Sequence, residues 1–230
     1  MKEYKAGAEA FDTYKEYREK EVSGAIAKPV SLGKVIEICK AESPKTILEI
    51  GGGMGTLTEV MLKNSEAHID VYEPDEFCRT KMDEHLKEFN GRYSIVPSYR
   101  FLPPRKEYDL MVVDGGTRKG KDGGYTKMIW LFTHYLDNVK TIYVEGNRAL
   151  QRIMLRRALK SRFTYTIERY KAIEYKGTKL PGGSLFKVRE EKSRMKRWIN
   201  FLKWEVKEKR AIKYFIRYRI KKLKSLLHVN

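Results

Sequence analysis

Residues 46–62 read TILEIGGGMGTLTEVML and contain an abrupt change of pattern. An apolar run rich in branched residues stops at a cluster of four glycines, and an apolar helical spacing restarts at Leu57, Val60 and Met61. This order predicts a strand, a tight turn and a helix. Glycine allows the sharp turn and a close approach to the backbone, while free N–H groups at the helix start favour polar or anionic groups. The stretch therefore predicts a nucleotide-binding turn.

The spacing of the glycines decides between nucleotides. A dinucleotide fingerprint needs glycine at its first, third and sixth positions, and the sixth position counted from Gly51 is Thr56. The sequence instead has an acid two residues before glycines at every second position, Glu49-x-Gly51-x-Gly53-x-Gly55. This pattern resembles motif I of the class I S-adenosylmethionine-dependent methyltransferases. The alternative is a glycine-rich turn that binds no ligand.

The resemblance implies a cofactor and a set of residues that bind it. In motif I the acid faces the charged amino-acid end of S-adenosylmethionine, and the glycines pass beneath the ribose. The positions of this sequence that match are Glu49, Gly51, Gly52, Gly53 and Gly55.

Composition limits the remaining possibilities. The chain has 230 residues, of which 41% are hydrophobic, and this suffices for one core with appendages. Cys39 and Cys78 show neither metal-ligand spacing nor a disulfide framework, which favours a reducing cytoplasm. The N-terminus leads into charged residues, and no apolar run approaches the roughly 20 residues of a membrane span. We therefore expect a cytoplasmic protein, with peripheral membrane attachment as one alternative.

A second acid follows an apolar run at residues 68–75, HIDVYEPD. Glu73 lies 18 residues beyond Gly55, where the next parallel strand should end after its crossover helix. A carboxylate at that position can accept hydrogen bonds from both ribose hydroxyls. The resemblance identifies this acid with motif II and so predicts that Glu73 binds the cofactor. The alternative is that it caps the helix starting near Asp75.

A third strand is predicted at residues 93–96, YSIV. In the family, residues just past this strand contact the adenine, so Ser98 or Tyr99 is the expected contact, although the acid common at that position is missing. Pro103 and Pro104 disfavour a full helix before the next strand.

Two further acids end predicted strands. Asp114 follows the run YDLMVV, which resembles motif IV of the oxygen-methylating branches, and Glu145 follows TIYV. Asp114 is the predicted cofactor contact and catalytic base, and Glu145 is the reserve base; the alternatives for Asp114 are a metal ligand and a cap of the following turn. Arg148, Gln151 and Arg152 open the next helix and either form an ion pair with Glu145 or contact acceptor oxygens. Catechol-type relatives carry an aspartate and an Asp-Asn pair for magnesium, but Gly146 separates Glu145 from Asn147 here, so no metal is predicted. The loop 117–124 carries three cations that either clamp an acceptor or stay solvated.

The remaining pattern predicts the fold class. Runs at 163–174 and 184–188, with Pro-Gly-Gly at 181–183 between them, fit an antiparallel hairpin. We expect an α/β fold: a Rossmann-like, seven-stranded, mostly parallel sheet with an antiparallel C-terminal hairpin and a basic helical C-terminal extension. The predicted divisions are an N-terminal helical segment (1–30), a methyltransferase domain (31–189) and a basic amphipathic helical tail (190–230). Phe11, Tyr14 and Tyr17 recur at threes in the first segment, which forms a lid, a dimer contact or a packed helix. Ser31 is the candidate cap of the next helix, which runs through Val35 and Cys39.

The tail holds most of the positive charge. Residues 192–230 contain 14 Lys and Arg residues against two acids, a net +12 of the chain's +18. Apolar residues recur there at helical spacing from Met195 to Leu227. Three interpretations stay open: a helix on an anionic membrane surface, an RNA-binding arm, or helices that pack on the domain or on a second subunit as a homodimer.

These features predict a methyltransferase that uses S-adenosylmethionine. We expect methylation of an oxygen on a glycan, a lipid-linked molecule or another small acceptor. The alternatives are an RNA methyltransferase that grips its substrate with the tail, and a scaffold protein that binds the cofactor without turnover.

Overall fold

A central seven-stranded sheet forms where the sequence places its buried apolar runs. The computed structural model describes residues 1–20, 26–115 and 125–208, together with Ile216 and Ile220. The strands are β1 (Thr46–Ile50), β2 (His68–Tyr72), β3 (Tyr93–Val96), β4 (Glu107–Val113), β5 (Asn138–Val144), β6 (Phe163–Arg169), β7 (Ile173–Tyr175), β8 (Thr178–Leu180) and β9 (Ser184–Glu190).

The strand order is β3-β2-β1-β4-β5-β9-β6. The first five strands are parallel, and β9 lies antiparallel between β5 and β6. Chain connectivity runs outward in both directions from β1, so the order reverses between β1 and β4. The predicted fold class, a mostly parallel seven-stranded sheet closed by an antiparallel pair, is confirmed.

Helices cover both faces of the sheet. They are α1 (Ala8–Lys20), α2 (Pro29–Glu42), α3 (Thr56–Lys63), α4 (Glu76–His85), α5 (Tyr125–Tyr135), α6 (Ala149–Leu159) and α7 (Arg194–Lys207), with a 3-10 turn at Lys87–Phe89. Alternate residues of each strand point to opposite faces, so Ile47 packs with α1–α3 whereas Leu48 packs with α5 and α6. No helix in the described ranges is both long and apolar enough to cross a bilayer.

The N-terminal helix is part of the core. Tyr14 and Tyr17 of α1 are buried, and the Tyr17 hydroxyl donates to Glu59 Oε2 of α3 at 2.5 Å. Burial and this carboxylate raise the pKa of Tyr17 far above its usual value. Of the three roles considered for the first segment, the structure shows the packed helix.

The pattern predicted one strand over residues 163–174, but the structure divides this run into β6 and β7. β6 ends at Arg169, and the following residue, Tyr170, forms an isolated bridge with Lys2, whose N–H donates to the carbonyl of Arg169 at 2.7 Å. The chain then forms the separate β7–β8 hairpin, whose two-residue turn has φ of 46° at Lys176 and 70° at Gly177. A two-residue turn with positive φ suits the twist of a hairpin, so the Lys-Gly pair was the available signal.

The segment between β3 and β4 contains no helix within its described residues, as the two prolines predicted. Two other predictions from the sequence concern Ser31 and the cationic loop. Ser31 does not cap α2, because the helix begins at Pro29 after Lys28 and no side chain caps it. The cationic loop at 117–124 lies outside the described residues.

Candidate functional site

The candidate site lies at the carboxyl ends of four neighbouring strands. Ile50 of β1 is in register with Tyr72 of β2 and with Val113 of β4, and Val113 is in register with Val144 of β5. The next residue on each strand is therefore brought to one edge of the sheet. Those residues are Gly51, Glu73, Asp114 and Glu145. This edge includes the point between β1 and β4 where the strand order reverses, which is where open α/β sheets bind ligands.

Backbone hydrogen bonds fix the position of each of these residues. The N–H of Gly51 donates to the carbonyl of Tyr72 at 2.9 Å, and the N–H of Glu73 donates to Val96 at 3.1 Å. The N–H of Asp114 donates to Ile50, and that of Glu145 donates to Val113, both at 2.9 Å. Because the strand ladder continues through the first residue after each strand, the three acids start from rigid backbone.

The glycine turn after β1 has the geometry that its sequence predicted. Gly51, Gly53 and Gly55 have φ of 91°, 55° and 88°, a region that side chains other than glycine rarely adopt. A Cβ on Gly51 would lie 2.7 Å from the carbonyl oxygen of Asp114, so glycine also lets β1 and β4 end side by side. Helix α3 begins directly after Gly55, at Thr56.

Gly52 has a different role from its neighbours. A Cβ there would lie 2.4 Å from both Val71 Cγ1 and Met82 Cε. The missing side chain therefore allows the turn to pack on β2 and α4. The predicted cofactor contact of Gly52 stays a prediction, because this packing already explains the residue.

Glu49 lies inside the protein below the turn. Its side chain is fully buried; Oε2 accepts a hydrogen bond from the Thr58 hydroxyl at 2.6 Å. Oε1 has no hydrogen-bond partner among the described residues. Burial, and then the charges of Asp114 and Glu73, raise the pKa of Glu49 well above its usual range. A buried carboxylate oxygen without a partner is costly, and a cationic ligand group would offset that cost.

Glu73 closes the turn from the side of β2. Its Oε2 accepts the N–H of Gly53 at 2.7 Å, and its Oε1 accepts the N–H of Asp75 at 2.9 Å. Each oxygen keeps a lone pair for a further donor. Burial raises the pKa of Glu73, although these two N–H groups act against the shift. The helix-capping role considered for Glu73 belongs to Asp75, whose side chain accepts from the N–H of Cys78 at 2.9 Å.

The two predicted adenine contacts follow β3. Ser98 Oγ accepts the N–H of Arg100 at 3.2 Å within the loop. The ring of Tyr99 stacks on Tyr72 with centroids 5.8 Å apart and an angle of 10° between the planes. Tyr72 immediately precedes Glu73, so Tyr99 lies beside the end of β2, but its ring packs on the cluster under α5.

An arginine joins the two predicted catalytic acids. Arg148 Nη2 donates to Asp114 Oδ1 at 2.7 Å and to Glu145 Oε2 at 3.0 Å. Burial and then the charge of Glu145 raise the pKa of Asp114 well above its usual range, against the effect of Arg148. Burial lowers the pKa of Arg148, but the two carboxylates outweigh it and the net shift is upward. The sequence suggested a pair between Arg148 and Glu145; the bridge to Asp114 was missed.

Tyr143 and Ser31, which have no sequence signal as site residues, form a chain of hydrogen bonds that ends at Glu145. The Tyr143 hydroxyl donates to Ser31 Oγ at 3.1 Å, and the Ser31 hydroxyl in turn donates to Glu145 Oε1 at 3.5 Å. Both side chains are fully buried. A Cβ on Gly183 would lie 2.0 Å from the Tyr143 hydroxyl, so this glycine makes room for the chain of contacts. Ser31 lies more than a hundred residues away from its partners, so no local sequence signal could reveal it.

The residues after Arg148 turn to other partners. Gln151 Nε2 donates to the carbonyl of Gly115 at 3.1 Å, and Arg152 lies 4.0 Å from Glu208 of the tail rather than near Glu145. No group of three or more His, Cys, Asp or Glu side chains could hold a metal ion in the part of the chain that the structure describes.

Solved structures with a similar fold include methyltransferases. An O-methyltransferase from Bacillus cereus, solved with S-adenosylhomocysteine, gives a TM-score of 0.58 at 12% identity over 80% of this chain and 91% of that chain. The O-methyltransferase TomG from Streptomyces achromogenes, solved with S-adenosylmethionine, gives 0.56 at 13% identity with the same coverage. A candidate RNA methyltransferase from Pyrococcus horikoshii gives 0.55 at 12% identity over 80% of this chain and 97% of that chain.

No family model matches the sequence, and no curated protein matches it either. At identities of 12–13% the structural likeness establishes the fold. The chain therefore has the α/β fold of the class I S-adenosylmethionine-dependent methyltransferases. Its own residues are compatible with that cofactor: the glycine turn, the Glu49 oxygen that has no partner among the described residues and the acceptor oxygens of Glu73 all lie at the edge where open α/β sheets bind ligands.

Proposed function

We propose that this protein is an S-adenosylmethionine-dependent methyltransferase that methylates an oxygen of a glycan, a lipid-linked molecule or another small acceptor. The observation that carries the proposal is the buried oxygen of Glu49, which has no partner in the described residues and lies beneath a glycine turn at the switch point of the sheet. A carboxylate there matches the ammonium group of the cofactor's amino-acid end.

The other residues of the site divide the work of binding. Glu73 accepts from the ribose hydroxyls with its remaining lone pairs, and the turn at Gly51 and Gly53 passes beneath the ribose. Ser98 and Tyr99, which follow the next strand, border the adenine. When bound, the cofactor would supply a sulfonium methyl group for transfer to an acceptor oxygen, and S-adenosylhomocysteine would be the leaving group.

Asp114, Glu145 and Arg148 face the reacting end. The pKa of Asp114 is raised above its ordinary range, and a carboxylate with a raised pKa is a stronger base towards an acceptor hydroxyl. Glu145 is held on one side by Ser31 and on the other by Arg148, so it is the reserve base. Arg148 orients both carboxylates, and its buried Nε has no partner among the described residues, which leaves a donor for an acceptor oxygen.

Titration calorimetry with S-adenosylhomocysteine tests the cofactor. We expect micromolar binding by the wild type and at least about tenfold weaker binding by Glu73→Gln, which loses charged acceptors for the ribose. The matched control is Glu76→Gln, an exposed acid three residues along the chain, which should bind as the wild type does. A folded wild type that does not bind would remove the basis of the proposal.

Acceptor screening then separates the candidate reactions. Glycan, glycolipid and RNA pools are offered with radiolabelled S-adenosylmethionine, and the labelled product is identified. Label in RNA would favour the RNA methyltransferase, to which the +12 tail points. Cofactor binding without label in any pool would favour a scaffold protein, in which Arg148 neutralises the two acids permanently.

A further inference from the structure

Helix α7 turns an apolar stripe away from the domain. Its outward side chains recur at i, i+3, i+4, i+7 and i+11, which places them on one face of the helix. The exposed members are Met195 (71%), Trp198 (44%), Ile199 (59%), Leu202 (51%) and Val206 (61%). Large apolar side chains that share one exposed face mark an interaction surface rather than scattered surface residues. These five residues are called the α7 stripe below.

The opposite face of α7 is held to the domain largely by polar contacts. Asn200 accepts the N–H of Tyr165 at 3.1 Å and donates to its carbonyl at 2.9 Å, so its amide pairs with the outer side of the edge strand β6. Trp204 Nε1 donates to the same carbonyl at 3.0 Å, and Phe201 is buried beside it. These contacts fix which face of α7 points inward, and of the α7 stripe only Trp198 reaches this face, with its ring centre 6.0 Å from that of Phe201.

Both acids of the tail also lie on the inward face. Glu205 accepts two hydrogen bonds from Arg156, at 3.2 and 2.7 Å, and Glu208 accepts from Arg169 at 3.0 Å. The charged residues that remain exposed along α7 are all cations: Arg194, Lys196, Lys203 and Lys207. Lys160, directly after α6, adds a further cation, 5.1 Å from the ring centre of Trp198. The outward surface of α7 is therefore apolar along its centre and positive at its sides.

We propose that α7 binds the surface of a bilayer that contains anionic lipid. The α7 stripe enters the boundary between headgroups and acyl chains, and the flanking cations contact lipid phosphates. Ile216 and Ile220, the two residues described beyond Glu208, are helical and about half exposed, one turn apart. They add two exposed apolar side chains beyond α7, within the tail that has a net charge of +12.

The chemistry of this surface favours lipid over the other two occupants. A second copy of the chain would bring one row of cations against another, and like charges in contact oppose association. Nucleic acid would satisfy the cations, but proteins bind bases by stacking them on aromatic rings. Four of the five stripe residues are aliphatic or Met, and burying them needs an apolar medium.

Vesicle sedimentation of the full-length protein without cofactor tests the proposal independently of methyl transfer. We expect binding to phosphatidylcholine vesicles with about one-third phosphatidylglycerol at about 0.15 M salt, and little binding to phosphatidylcholine alone. Replacing Ile199→Ser and Leu202→Ser together should weaken the partition coefficient about tenfold, because two apolar side chains are lost from the bilayer contact. Since both are exposed, the melting temperature should not change.

Phe77→Ser is the matched control. Phe77 is 57% exposed on α4, which follows β2 near the other edge of the sheet, and its replacement should leave vesicle binding unchanged. The proposal is overturned if anionic vesicles are not bound. It is also overturned if the double variant binds them as tightly as the wild type, since charge alone would then explain adsorption. Tight binding of single-stranded RNA in the absence of vesicle binding would assign the tail to nucleic acid instead.

Discussion

The burial of Glu49 carries a cost in stability that its proposed role in binding the cofactor would explain. The sequence places it among Ile and Leu, and the fold buries it completely with one hydroxyl partner. An ionised carboxylate in such a position disfavours folding, because burial penalises its charged form. The unfolded chain binds its proton with an ordinary pKa near 4.3, whereas the folded chain binds it with a raised pKa.

The sign of the pH dependence follows from these two pKa values. Between them the folded state holds more protons than the unfolded state, so stability falls as pH rises through that window. Glu49→Gln removes the penalty. We expect the variant to be more stable than the wild type by about 1–2 kcal/mol at pH 8 and to lose this advantage as pH falls towards 4. Thermal melting as a function of pH measures the difference.

The same variant should bind S-adenosylhomocysteine more weakly, since an amide does not pair with an ammonium group as a carboxylate does. Glu66→Gln, an exposed acid in the loop after α3, is the control and should change neither property. A Glu49→Gln protein that is stabilised yet binds the cofactor normally would show that Glu49 does not face the ligand.

At the scale of elements, α7 covers the outer side of β6, the edge strand of the sheet. An edge strand presents unpaired backbone groups, and native proteins cover or block them. Here Asn200 and Trp204 satisfy both backbone groups of Tyr165 on the outer side of β6. Beneath α7, the side chains of Arg152 and Arg156 are almost fully buried, and Glu205 and Glu208 supply the negative charge that they need.

The junction between α6 and α7 gives the next prediction. Glu208→Gln removes one of two acids from a cluster that also contains Arg152, Arg156 and Arg169. We expect the free energy of unfolding to fall by about 3–5 kcal/mol, because the buried guanidinium group of Arg152 is left without its carboxylate while Arg156 keeps only Glu205. Urea denaturation followed by circular dichroism measures this loss.

Glu190→Gln is the comparison for this experiment. Glu190 lies 3.9 Å from Arg162 and its side chain is 66% exposed, so its loss should cost less than about 1 kcal/mol. Equal effects of the two variants would mean that α7 is held by Asn200, Phe201 and Trp204 alone.

At the scale of the whole molecule, the ligand edge joins residues from four strands that lie far apart in the chain. A ligand that contacts the ends of β1, β2 and β4 together stabilises the folded chain and not the unfolded one. S-adenosylhomocysteine at about a hundred times its dissociation constant should add about 2.7 kcal/mol, or roughly 5–10 °C in melting temperature. Differential scanning fluorimetry provides the measurement.

NAD at the same concentration is the discriminating ligand. The third glycine of a dinucleotide fingerprint is replaced by Thr56, which is buried at the first position of α3. We therefore expect no shift with NAD. A shift with NAD as large as that with S-adenosylhomocysteine would contradict the choice of nucleotide made from the glycine spacing.

Much of the fold could be predicted because its signals are local. Buried parallel strands are short apolar runs, glycines with positive φ mark the turn after β1, and an acid directly after a strand must reach the edge where parallel strands end. These rules were sufficient for Glu73, Asp114 and Glu145. The division of 163–174 into β6 and β7 was missed, because the competing partner of Tyr170 is Lys2, at the other end of the chain.

The class of fold, the turn at 51–55 and the edge at which the acids gather follow from local sequence patterns, since each depends on neighbouring residues. The partners of those acids depend on contacts between elements that lie far apart in the chain. Arg148 bridges Asp114 and Glu145, and Ser31 stands behind Glu145, because the fold brings separate elements into contact. The same holds for α7. The hydrogen bonds of Asn200 with Tyr165 and of Glu205 with Arg156 decide which face of this helix points inward. The apolar stripe is left outside for that reason.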